Sequence, residues 1–162
     1  MVEFAIVLPV LLILLLGMVS GANAWNQSQS ISHGGQVAAR FASTLPLPTS
    51  TEDMDDWLDE IIDRSIAASA GTMDEGTVGR AVCVAYVDPA GAAPDKTASR
   101  RIDAAGTRTL GTTECFDDGQ GTTAKRVQVV MERTGTLDIG LHRQSLHLSR
   151  SVVYRYEVDS GL

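Results

Sequence analysis

Apolar and polar positions change rhythm three times along this chain, and each change predicts a different element. From Met1 to Gly21 almost every residue is apolar. As an α-helix, about 20 such residues rise roughly 30 Å, the thickness of a bilayer's hydrocarbon layer. From Ala22 to Ser43 small and apolar residues persist at helical spacing among polar ones, with Val37, Ala38, Phe41 and Ala42 on one face near the end. The two stretches read as one long helix, residues 1–43. Thr44-Leu-Pro-Leu-Pro-Thr-Ser50 stops it, because the residues before Pro46 and Pro48 are pushed into extended geometry.

A second helix is predicted from Ser50 or Thr51. Ser50-Thr-Glu-Asp53 has the form of a capping box, Glu52, Asp53, Asp55 and Asp56 sit where the helix dipole favours acids, and Met54, Trp57, Leu58, Ile61, Ile62 and Ile66 share one face. Gly71 is placed to end it. From Val78 the period becomes two. Arg80–Val87 reads as a strand, Lys125–Arg133 as another with Val127, Val129 and Met131 on one side, and Leu146 through Tyr156 as a last one. The polar interval from Asp88 to about Gly111 reads as a long surface loop, with Thr112–Phe116 returning toward the sheet. The expected fold is α+β: a long N-terminal apolar helix over 1–43, then a head, 44–162, with an amphipathic helix on a small antiparallel sheet.

Within the first helix, Pro9 removes a backbone donor, which membrane helices tolerate. Gly17, Gly21, Ala24, Ser28, Ser32 and Gly35 step by three or four, and Gly17-x-x-x-Gly21 is the small-residue spacing that lets helix backbones approach closely. That stripe is suited to packing against copies of itself, or is a chance product of an Ala/Gly-rich chain. Gly34-Gly35 weakens the helix by about 2 kcal/mol relative to two alanines and marks a bend or local melt.

Glu3 is the one charge in the opening run, and a carboxylate there costs several kcal/mol unless it meets an interface or a cation. The first Lys or Arg is Arg40, so the positive n-region of a signal anchor is missing. The expectation is a mature chain whose short basic leader was removed upstream. Ala22-Asn-Ala24 also fits a signal-peptidase site, which makes a secreted domain starting at Trp25 the competing reading.

With 162 residues, the length beyond the helix supports one small domain. Thirteen Lys and Arg against twenty Asp and Glu give a net charge of −7, which disfavours nucleic-acid binding. Cys83 and Cys115 are the two cysteines, outside any metal-ligand spacing. In an exported chain they read as a disulfide closing a loop of roughly 30 residues, against the alternative of two buried thiols. The three histidines are scattered, with His142 and His147 on opposite sides of a regular strand. Asp117-Asp-Gly-Gln-Gly121 lacks the ligand ladder of a calcium loop and reads as a turn. The acids of the second helix read as a solvated face. No cofactor is expected, and no arrangement of nucleophile, base and orienting group announces an enzyme.

Val2-Glu3-Phe4-Ala5-Ile6-Val7-Leu8-Pro9-Val10-Leu11-Leu12 resembles the start of TadE-like proteins, the pseudopilin-like subunits of tight-adherence pilus systems within the type IV pilin superfamily. Gln36-Val-Ala-Ala-Arg40 is similar to the later part of that family's long helix, and Leu146–Glu157 to its final strand. The resemblance implies a pilin-like, non-enzymatic subunit. A prepilin peptidase would trim its leader, and it would wait in the cytoplasmic membrane before joining an extracellular adhesive pilus. Its partners would be copies of itself, other pilins and the assembly machinery. It also implies that Glu3 pairs with the N-terminal amine of a neighbouring subunit, although Glu3 lies two residues nearer the start than the fifth-position glutamate usual in mature type IV pilins. A membrane-anchored or secreted binding domain working as a monomer is the alternative.

Overall fold

A single helix, α1, runs from Val2 to Thr44, with Pro9 inside it. At 1.5 Å per residue it is about 64 Å long, roughly twice what a bilayer core needs. The computed structural model describes residues 2–48, 50–91, 97–120, 124–138 and 142–157. The linker ends at Ser50, whose hydroxyl accepts the amide of Asp53 at 3.1 Å and caps α2, Thr51–Ala68. α2 buries Trp57, Leu58, Ile61, Ile62 and Ser65, with Met54 and Ile66 at the margin, so the predicted face is the packed one.

Five described strands follow: β1 Ala81–Val87, β2 Thr97–Ile102, β3 Arg108–Gly111, β4 Arg126–Asp138 and β5 Arg143–Arg155. They form one antiparallel sheet in the order β3-β2-β1-β4-β5. In register Val82 faces Met131, Val84 faces Val129 and Tyr86 faces Val127, and all six are buried on the side covered by the helices. The same core takes Ile31, Ala38, Ala39 and Ala42 from α1. The fold is therefore α+β with two helices on one face of an antiparallel sheet.

The interval 88–111, expected as a surface loop, carries β2 and β3 instead. Alternation there is concealed because the residues of β2 on the helix side are Ala98, Arg100 and Ile102, with an arginine where an apolar residue would have signalled a strand.

Gly34 and Gly35 do not melt α1, which passes through them without a break. Both are buried where other elements come close: a Cβ on Gly34 would lie 2.7 Å from the Ser65 carbonyl oxygen, and one on Gly35 would lie 3.2 Å from Val152 Cγ2.

On the face of the sheet away from the helices, the segment Thr112–Gln120 lies over Cys83, Arg126 and Gln128. Cys83 and Cys115 are joined in a disulfide, with Cα atoms 5.9 Å apart, which fastens that segment to β1.

Candidate functional site

The long helix divides by exposure. Phe4, Val7, Leu8, Val10 to Leu16, Met18 and Val19 all stand open, from 38% at Ile13 to 80% at Phe4. From Ser20 onward one side is covered: Ser20, Ala24, Ser28 and Ile31 are buried, followed by Ala38, Ala39 and Ala42. An 18-residue window of the helix has a mean hydropathy of 2.2 and is only 6% buried. By length and composition this helix is able to anchor the chain in a membrane. Leaving so many large apolar side chains half exposed in water costs roughly 1 kcal/mol each, so this cylinder needs lipid or other helices around it.

The sequence-predicted residues take different places on this rod. Pro9 lies within its exposed apolar half. Gly17 and Gly21 lie at its end, and nothing is found within 4 Å of a Cβ built on Gly21. The stripe that continues from them is used internally: Ser28 Oγ accepts a hydrogen bond from Arg150 Nη2 at 2.8 Å, and Gly35 meets Val152. Of the stripe expected to pack against copies, Ser28 and Gly35 are thus occupied by the chain's own β5. Glu3 belongs to α1, and its side chain lies outside the described residues, as does Gly121 of the predicted turn.

In the head, the acids of α2 do more than face solvent. Arg100 Nε donates to Asp59 Oδ1 at 2.9 Å and its Nη2 to Asp59 Oδ2 at 2.9 Å, a bidentate pair. Arg108 reaches Asp59 at 2.9 Å and Asp63 at 2.5 Å. Burial alone would lower the pKa of the Arg108 guanidinium, but the two aspartates hold it above its usual value. α2 is thus tied by charge to β2 and β3, a link between residues more than 40 positions apart that sequence inspection missed.

A second polar cluster lies under the disulfide segment. Gln128, fully buried, accepts the Cys115 amide on Oε1 at 3.1 Å, while its Nε2 donates to the Phe116 carbonyl at 3.1 Å and to Asp118 Oδ2 at 2.7 Å. Arg126 Nε donates to the same Asp118 oxygen at 2.6 Å and Nη2 reaches Glu114 at 3.2 Å. Burial pushes the Asp118 carboxyl up, yet the bonds from Gln128, the Gln120 amide and Arg126 outweigh it and hold the group below the usual range. Asp117 and Asp118 also accept the Gly119 and Gln120 amides on their own side chains, the local bonding of Asx turns.

Beside the start of α2 a groove of about 620 Å³ is lined by Leu47, Met54, Tyr86, Ala98 and Leu110 with Lys125 at its rim. Among the described residues no three His, Cys, Asp or Glu side chains gather to hold a metal ion.

These features define a class: an α+β head, stapled by one disulfide, built on the second half of an apolar helical rod. Residues 1–40 match the family described as TadE-like protein, which covers the open half of α1 and most of its packed half and stops before the head. The resemblance read from Val2–Leu12 is thereby confirmed for the N-terminal segment. No curated protein and no solved structure matches the chain.

Proposed function

We propose that this chain is a pilin-like structural subunit of a tight-adherence pilus. It waits in the cytoplasmic membrane through α1 and then assembles, through the same helix, into an extracellular filament that supports adhesion. The observation that carries this reading is the open apolar rod from Phe4 to Val19 continuing without a break into a helix packed in the head core. The TadE-like match at residues 1–40 supports it. Residues 1–43 act as the filament-core element and 44–162 as the head around its second half.

In such an assembly apolar helices exchange lipid for one another, so little hydrophobic free energy is gained and specificity rests on close packing and polar contacts. Gly17 and Gly21 allow close approach and Pro9 a local adjustment. Glu3 meets the N-terminal amine of the adjoining copy, which offsets its cost in a low-dielectric bundle and sets the stagger. Leader removal by a prepilin peptidase supplies that amine. The role is assembly, without catalysis.

The test is Glu3→Gln and Glu3→Ala in the native host, with sheared appendages imaged and their subunits identified by mass spectrometry. The expected result is chain retained in the membrane fraction with its disulfide formed, and lost from filaments. Near-normal filament yield would overturn the role of Glu3, and absence of the wild-type chain from any appendage would overturn the function.

The second reading, an anchored or secreted binding domain acting alone, is favoured by the groove beside α2. Sequencing the mature N-terminus separates it, since a start at Trp25 would remove the rod.

A further inference from the structure

The β4–β5 hairpin is longer than the sheet it belongs to. β1 pairs with β4 only from Arg126 to Glu132, whereas β4 and β5 stay in register from Arg126↔Arg155 to Asp138↔Arg143. The distal half is a two-stranded ribbon, and its direction is fixed by contacts with α1. Glu157 donates its amide to the Ser43 carbonyl, Val152 lies against Gly35, Arg150 bonds Ser28, and Gly135, opposite Leu146, lies beside Gln27. The ribbon therefore climbs α1 toward its apolar end.

The distances can be estimated. From Glu157 to Leu146 the strand advances about 36 Å while α1 rises about 24 Å between Ser43 and Gln27. At the same ratio the remaining stretch to Arg143 carries the hairpin about 7 Å further, to the level of Asn23. Burial of Ser20 and Ala24, at 9% each, shows that the head covers the helix at this height. The open apolar rod ends at Val19, about 6 Å below Asn23. The polar zone on each side of a bilayer core is of the same depth, roughly 5–8 Å. Trp25, 67% exposed, lies on the same turn, and a helical side chain leans toward the N-terminus, which lowers its indole toward that zone.

We propose that the last described pairs of the β4–β5 hairpin, Thr136↔Ser145 to Asp138↔Arg143, together with Trp25, form a seat for the head on the lipid headgroup layer, setting how deeply α1 is immersed before assembly. The inference rests on the membrane-anchored stage proposed above. Its occupant is the bilayer surface, because the seat is continuous with the lipid-facing rod and coincides with its upper limit.

The test uses the full chain reconstituted at low density in phosphatidylcholine vesicles containing lipids brominated near the carbonyl or deep in the acyl chain. Trp57 is buried in the head, so the difference between wild type and Trp25→Phe isolates the Trp25 signal. Spin labels at Leu14→Cys and Ser145→Cys report the rod and the hairpin. The expected results are shallow quenching of Trp25, a Ser145 label at headgroup depth, a deep Leu14 label, and a shift in Leu14 depth in Trp25→Ser. A deep Leu14 label with Trp25 unquenched and Ser145 in water overturns the seat and leaves the anchor standing. A Leu14 label in water overturns both. Shielding of Trp25 and Ser145 that appears only as protein density rises assigns the surface to a second copy and overturns the proposal.

Discussion

The carbonyl oxygen of Ser65 occupies the space that a side chain on Gly34 would enter, 2.7 Å from where its Cβ would lie. α1 and α2 touch there backbone to side-chain position, with Met131 of β4 closing the gap at 3.2 Å. A methyl group can push Met131 aside, but it cannot displace a helix carbonyl cheaply. Gly34→Ala is expected to destabilise the full chain in detergent by about 1–3 kcal/mol, read as a lower unfolding temperature. Gly21→Ala, with open space around it, should leave stability unchanged or raise it by up to about 1 kcal/mol. A lower filament yield from Gly21→Ala would then report on the proposed assembly and not on folding. Equal effects of the two variants would contradict the different uses assigned to these glycines.

Asp59 joins two arginines from two strands, and its side chain is only 20% exposed, with Arg100 at 17%. The pair is shielded enough to outweigh an ordinary surface ion pair, though water still reaches it. A double-mutant cycle with Asp59→Ala and Arg100→Ala should return a coupling of about 1–2 kcal/mol. It should shrink as salt is raised toward molar concentration. A coupling near zero at low salt would mean that α2 is held to β2 by apolar packing alone.

Much of this architecture is legible in the sequence, and the exceptions share one cause. The α2 face, the cap at Ser50, the alternation of Val127, Val129 and Met131 and the cysteine pair each depend on local spacing or on the small number of candidates. β2 and β3 were hidden because Arg100, on the helix side, is satisfied by Asp59 from a distant helix. Gln128 reads as solvent-facing by alternation, yet it is buried because a segment returning through Cys115 covers it. The stripe from Ala24 to Gly35 reads the same whether a copy or the chain's own sheet covers it, and only the path of β5 decides. The cost of Glu3 within an apolar run is plain in the sequence, whereas the partner proposed for it, on another copy, is not.

Acid should loosen the head through Asp118. Its folded pKa lies below the ordinary carboxylate value, so the deprotonated group contributes stability that is fully present above about pH 4 and is lost as pH falls through the folded value. Asp118→Asn removes the charged acceptor at Arg126 Nε and leaves the buried guanidinium paired with Glu114 alone, a loss of roughly 2 kcal/mol at neutral pH. Denaturant midpoints measured against pH should show wild type and Asp118→Asn far apart at pH 7 and converging below about pH 4. A gap that persists in acid would show that geometry at this site, and not charge, is what the substitution disturbs.

The disulfide and Gln128 fasten the same segment by different means, and their contributions can be separated. Closing a loop across 32 positions restricts the unfolded chain, so the Cys83→Ala/Cys115→Ala variant should lose about 3–4 kcal/mol of global stability. The native contact made by the amide at position 115 does not need sulfur, because its acceptor is Gln128 Oε1 at 3.1 Å. Hydrogen exchange under native conditions should therefore find that amide still protected in the double-alanine variant, at a level reduced only by the lower global stability. Gln128→Ala should show the reverse, with the disulfide intact and the amide exchanging quickly through local opening. Rapid exchange at position 115 in the cysteine variant would mean that the bridge alone holds this segment on the sheet.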